Sequence, residues 1–111
     1  MTSHLASTTA KQFGSLPLHD AILHELRVDW STATCSAELE AFIDPRQTAI
    51  PRRLIWRGVR DVQAPHRAPW GDSVHINSAR FQSPDVFIIE MQSGDEIRIV
   101  ADAFEFVPPK A

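Results

Sequence analysis

His19, Asp20 and His24 are the first residues along the chain whose types and spacing could do chemistry. Imidazole and carboxylate both suit zinc or iron, so these three could serve as metal ligands, with His75 or Glu90 completing the set through the fold. The spacing is not that of two histidines presented on one helical face. The structural use of the same residues is simpler: Asp20 caps the start of a strand, and His24 sits hydrogen-bonded in the core or at its rim. A second group lies far downstream. Glu90 and Gln92 stand two apart on one strand face, with Asp95 just beyond, and Glu90 is set in an apolar run where burial demands a partner. Arg57, Arg60 or Arg98 could provide it from a neighbouring strand, as a buried ion pair. Paired instead with Asp95 or Asp20, Glu90 would be a general acid. The third group is Pro69-Trp70-Gly71-Asp72-Ser73 with Asn77, a turn carrying a large aromatic residue. Trp70 either anchors this loop, with Ser73 or Asn77 satisfying its backbone amides, or forms a pocket wall or the hot spot of a protein interface.

Trp70, Gly71, Asn77, Glu90, Gln92 and Asp95 are therefore the candidate binding residues, and His19, Asp20 and His24 the alternative metal set. No catalytic residue stands out and no cofactor is expected. Cys35 falls in an alternating apolar set with Ala37 and Leu39, which makes it a small buried hydrophobe. Ser73 and His75 lack the strand-turn-helix context of a nucleophile elbow. Glycine-rich phosphate loops, zinc-finger spacings and ribonucleoprotein aromatics do not occur.

These residues must be positioned by a small domain. The chain has 111 residues, 43% of them hydrophobic and 23% charged, which fits one globular domain and leaves little volume for a large internal cofactor cavity. A net charge of -3 gives no global attraction for nucleic acid or anionic lipid. The arginines concentrate between residues 46 and 80 and the carboxylates on either side, so a basic central strand between acidic neighbours is expected. With one cysteine, no apolar run resembling a signal peptide and none long enough to span a membrane, a cytoplasmic setting is the simplest reading.

Period-two alternation supplies the elements. Ile22, His24, Leu26, Val28 and Trp30 fall on one face of a strand, and Cys35, Ala37, Leu39, Ala41 and Ile43 on one face of the next, with a hairpin turn between. Arg52 to Val62 reads as a strand carrying Leu54 and Trp56, and Gly58 within it suggests a bulge or a close backbone contact. Val86 to Met91 and Glu96 to Val100 form a hairpin about Ser93-Gly94-Asp95, and Ala103 to Val107 a last strand. The expected fold is mainly β: an antiparallel meander of about six or seven strands forming a curled sheet, a sandwich or a partly open barrel. It spans residues 13 to 107, with flexible termini at 1–12 and 108–111. Its core would hold Ile22, Leu26, Val28, Trp30, Leu39, Trp56, Val59, Ile89, Ile97, Ile99, Phe104 and Phe106.

At Leu18-His19-Asp20-Ala21, Leu54 to Val59, Pro69 to Asn77 and Ile89 to Asp95, the chain resembles a group of small β-rich bacterial proteins of unassigned activity. Some small β-rich proteins of similar appearance are immunity partners of secreted toxins, so the resemblance implies a binding role without naming the partner. The leading expectation is a non-enzymatic structural or protein-binding domain that self-associates, as a homodimer, or takes a protein partner, without membrane or nucleic acid. The alternative is a small metal-dependent or hydrolytic enzyme using His19, Asp20 and His24.

Overall fold

A computed structural model describes residues 10–65 and 74–108. Eight strands follow a short 3-10 turn, η1 (Gln12–Ser15): β1 (Ile22–Asp29), β2 (Thr34–Ala41), β3 (Ile50–Arg57), β4 (Asp61–Gln63), β5 (Ile76–Gln82), β6 (Val86–Met91), β7 (Glu96–Val100) and β8 (Ala103–Val107). They form two four-stranded antiparallel sheets, ordered β1-β2-β3-β8 and β4-β7-β6-β5. The sheets pack as a sandwich, one of the three forms the alternation allowed. At one corner they are joined by a bridge between Ile22 and His75 and by Ile76 N–H donating to Ala21 O at 2.8 Å.

Gly58 explains why there are eight strands and not six or seven. It takes a left-handed φ of +69°, which ends β3 and sends the chain to the other sheet as β4, so the segment Arg52 to Val62 is two strands rather than one bulged strand. The expected close contact is present: a Cβ at this position would lie 2.2 Å from Asp102 Oδ2. Nor is the chain a simple meander, because β8 follows β7 directly in sequence yet crosses to pair with β3 in the opposite sheet.

The core is aromatic at its centre. Phe13, carried in by η1, is fully buried and packs edge-on against Phe87 and Phe104, at centroid distances of 5.2 and 5.0 Å, with Trp56 tilted 6.1 Å away. Offset and edge-to-face contacts of this kind add to the area each ring removes from water. The lead-in is thus a plug between the sheets. Trp56 Nε1–H has no hydrogen-bond partner among the described residues, a local cost set against burial of the whole indole.

Alternation located the inner face of β2 correctly, since Cys35, Ala37, Leu39 and Ala41 are all buried. On β1 it failed halfway. A bulge between Leu23 and Glu25 makes His24 an extra residue and reverses the phase, so Leu23 is buried and Ile22 is not, while Leu26 and Val28 still turn inward opposite Ala37 and Cys35. Trp30 is a second correction: β1 ends at Asp29, and Trp30 enters the turn 61% exposed. Asp29 organises that turn, accepting from Ser31 N–H at 3.0 Å and from Ser31 Oγ at 2.5 Å, and the serine holds its carboxyl below the ordinary range. The expected basic central strand is β3. Arg53 pairs with Glu38 on β2, and Arg57 Nε donates to Glu105 Oε2 on β8 at 2.5 Å.

Candidate functional site

Residues that lie 58 and 72 positions apart in sequence meet at one end of the sandwich. The lead-in is fastened to the start of β5 by Asp20 N–H, which donates to Ile76 O at 2.8 Å. Asp20 itself takes φ of +67°, a left-handed conformation that aspartate tolerates better than most residues. This turn presents His19 and Asp20 to the neighbouring strand ends. His19 Nδ1–H donates to Asn77 O at 2.8 Å, and because a backbone carbonyl only accepts, the neutral ring carries its lone pair on Nε2. Gln92, just past β6, donates from Nε2 to Asp20 Oδ1 at 2.6 Å. Asn77 Nδ2 donates to Glu90 Oε1 at 2.8 Å, and Ser78 Oγ lies 3.3 Å from the same oxygen.

Glu90 is therefore held by an amide and a hydroxyl. The expected ion pair with Arg57, Arg60 or Arg98 does not form, because β6 pairs Glu90 with Ser78 on one side and Glu96 on the other, while Arg57 and Arg60 bind Glu105, Asp85 and Asp102 elsewhere. Nor does Glu90 form an acid pair with Asp20: Asn77 and Ser78 hold Glu90 Oε1, and Gln92 holds Asp20 Oδ1.

His19 and Asp20 line one side of an open cleft of about 470 Å³, whose other walls are Pro17, Phe42, Ile43 and Pro45. The apolar wall is the part that alternation missed. Alternation puts Ile43 on the inner face of β2, but the strand ends at Ala41, the chain bends, and Ile43 is left 43% exposed on the cleft. Its signal was the apolar pair Phe42-Ile43 running directly into the breaker Asp44-Pro45.

The histidines do not gather. His24, displaced by the bulge, bonds to Glu40 Oε2 on β2 at 2.5 Å, whereas His19 belongs to the lead-in. His19, Asp20 and His24 are thus not brought together, and among the described residues no group of three His, Cys, Asp or Glu side chains is placed to hold a metal ion. Asp95 lies outside the cleft, where its carbonyl accepts Met91 N–H at 2.9 Å in the β6–β7 turn. Trp70 and Gly71 fall outside the described residues. Cys35 is fully buried on β2, and burial pushes its thiol up to about 11, which removes it as a nucleophile at neutral pH.

With this geometry in view, the fold has a counterpart among solved proteins. The chain is similar to an uncharacterised protein from Neisseria gonorrhoeae known from its crystal structure, with a TM-score of 0.57 over 82% of this chain and 93% of that one. At 14% identity this likeness establishes the fold alone, and at that level the resemblance to small β-rich bacterial proteins holds. No protein-family model matches the chain, nor does any curated protein. No helix among the described residues is long and apolar enough to cross a membrane.

Chemically, the arrangement is an apolar wall facing a pair of oriented polar groups.

Proposed function

We propose that the protein is a non-enzymatic binding domain that takes a segment of a protein partner into the His19–Asp20 cleft. The observation that carries this reading is the cleft's composition: exposed Ile43 with Phe42, Pro17 and Pro45 on one side, and on the other two polar side chains held in place by Asn77 and Gln92. Apolar surface left exposed beside fixed polar groups is how small sites combine affinity with orientation. Holding the polar pair in advance reduces what must be ordered on binding. The interior of the domain is filled by Phe13, Trp56, Phe87 and Phe104, so a partner must be met on the outside of the sandwich.

A random peptide array read with labelled protein tests the proposal, followed by NMR mapping of a selected peptide. The expected footprint covers residues 17–20 and 42–45 and disappears in Ile43→Asp with the fold intact. A footprint elsewhere would overturn the proposal. So would cleavage of the peptide, which favours the hydrolytic alternative.

A further inference from the structure

The cleft's unspent hydrogen-bonding groups define what kind of side chain it takes. His19 Nδ1–H is committed to Asn77, which leaves the Nε2 lone pair of the neutral ring, and Asp20 Oδ1 is committed to Gln92, which leaves Oδ2. With the ring neutral these two acceptors stand 3.6 Å apart at the cleft wall and no hydrogen bond from another described residue reaches either, whereas a protonated ring would pair with Asp20 itself. One hydroxyl or one amide N–H can serve only one of them. A group with several N–H bonds in a fixed plane can serve both.

Charge narrows the choice further. Glu38, Asp85, Asp102, Glu105 and Glu96 each face an arginine of their own chain. Asp20 and Glu90, linked through the hydrogen bonds of His19 and Asn77, face amides and a hydroxyl instead, so this end of the sheet carries two negative charges without an arginine or lysine beside them among the described residues. Arg46, next to Pro45 in sequence, is engaged by Asp44 at 3.3 Å. An anionic occupant would be repelled and a neutral one would leave the charge uncompensated.

We infer that the cleft receives an arginine of the partner, its guanidinium bridging Asp20 Oδ2 and His19 Nε2 and its stem lying along Phe42 and Pro17. The inference rests on the binding reading above and names its chemistry. Arginine fits better than lysine because its planar fork can meet both acceptors together and can stack on an aromatic or proline ring, whereas an ammonium is a compact and more strongly hydrated charge.

The test is an NMR titration that follows the His19 ring and the Ile43 methyl in protein specifically labelled at histidine and isoleucine. The probes are Nα-acetyl-arginine N-methylamide, the matching lysine and citrulline compounds, and acetyl-Pro-Ile N-methylamide. The arginine compound is expected to shift both signals saturably and to bind about tenfold more tightly than citrulline, the increment of a charge-assisted bond, with lysine between them. Asp20→Asn should erase the difference between arginine and citrulline while leaving the dispersion of the spectrum unchanged. Equal binding of citrulline, tighter binding of lysine, or indifference to Asp20→Asn would overturn the arginine assignment. If only acetyl-Pro-Ile N-methylamide shifts Ile43, the arginine assignment falls and the binding cleft stands. If no probe shifts either signal, both fall.

Discussion

The two ends of the sandwich use the same residue types in opposite ways. At one end, where β2 and β6 begin and β3 and β5 finish, Arg60 reaches Asp85 in the β5–β6 turn at 2.6 Å and also bonds Asp102 in the β7–β8 turn, while Gly58 lets the backbone pass against that aspartate. Both carboxylates, Asp102 foremost, hold the guanidinium above its ordinary range. Val59 N–H donates to Ala33 O at 2.8 Å and ties the β1–β2 turn into the same corner. At the other end Asp20 and Glu90 are held by Gln92, Asn77 and Ser78, and two acceptors face an open cleft. One end spends its charges on joining turns. The other keeps them oriented and available, at the cost of leaving acceptors to water.

The comparison can be broken or sharpened by substitution, and the largest effect should come from the core that both ends share. Phe13→Ala should cost about 3 to 5 kcal/mol, the usual range for truncating a buried phenylalanine, with both ends melting in one transition by urea unfolding. A loss under about 1 kcal/mol would mean that η1 is an ornament rather than the plug of the sandwich. At the closed end, Gly58→Ala combines a left-handed backbone with a collision against Asp102 and should cost about 1 to 3 kcal/mol. Gly94, also left-handed at +101° but with nothing within 4 Å of its Cβ position, isolates the backbone part of this cost, and its alanine variant should lose about 1 to 2 kcal/mol, less than Gly58→Ala.

A smaller effect follows from Cys35, which lies opposite Val28 and Trp56 near the closed end. Its thiol is raised from 9.0 to about 11 by burial, so the unfolded chain ionises first. That contribution to stability is whole below pH 9, declines as pH rises from 9 to 11, and does so by at most about 1.4 kcal/mol per pH unit. With no tyrosine in the chain and lysine only at positions 11 and 110, few other side chains titrate there. Urea midpoints at pH 8 and pH 10.5 should converge in Cys35→Ala and differ in the parent chain.

Much of the fold was legible because alternation and breakers report local facts. The hairpin of β6 and β7, the last strand and the inner face of β2 follow from side-chain period and turn residues alone. What alternation could not report was phase and distance. The bulge at His24 inverts the face of Ile22 without any residue that announces it, and Gly58 signalled a special backbone without saying that the chain would change sheets. The site residues were legible singly: His19 and Asp20 as polar residues at a strand entry, Glu90 and Gln92 as polar residues on an otherwise apolar strand. Their meeting was not, because it depends on the lead-in being tied to β5 by Asp20 and Ile76. The apolar wall at Phe42 and Ile43 was lost for the same reason as Trp30, since a strand that stops early exposes residues its pattern would have buried.

The central claim is that the His19–Asp20 end is arranged for a partner and contributes little to holding the fold, whereas the Arg60 end does the reverse. Urea unfolding of Asp20→Asn beside Arg60→Met, at low salt where surface charge is least screened, tests it most directly. The account predicts that Asp20→Asn stays within about 0.5 kcal/mol of the parent chain, as surface substitutions do, and that Arg60→Met clearly lowers the midpoint. An Asp20→Asn midpoint that falls as far as that of Arg60→Met would contradict it.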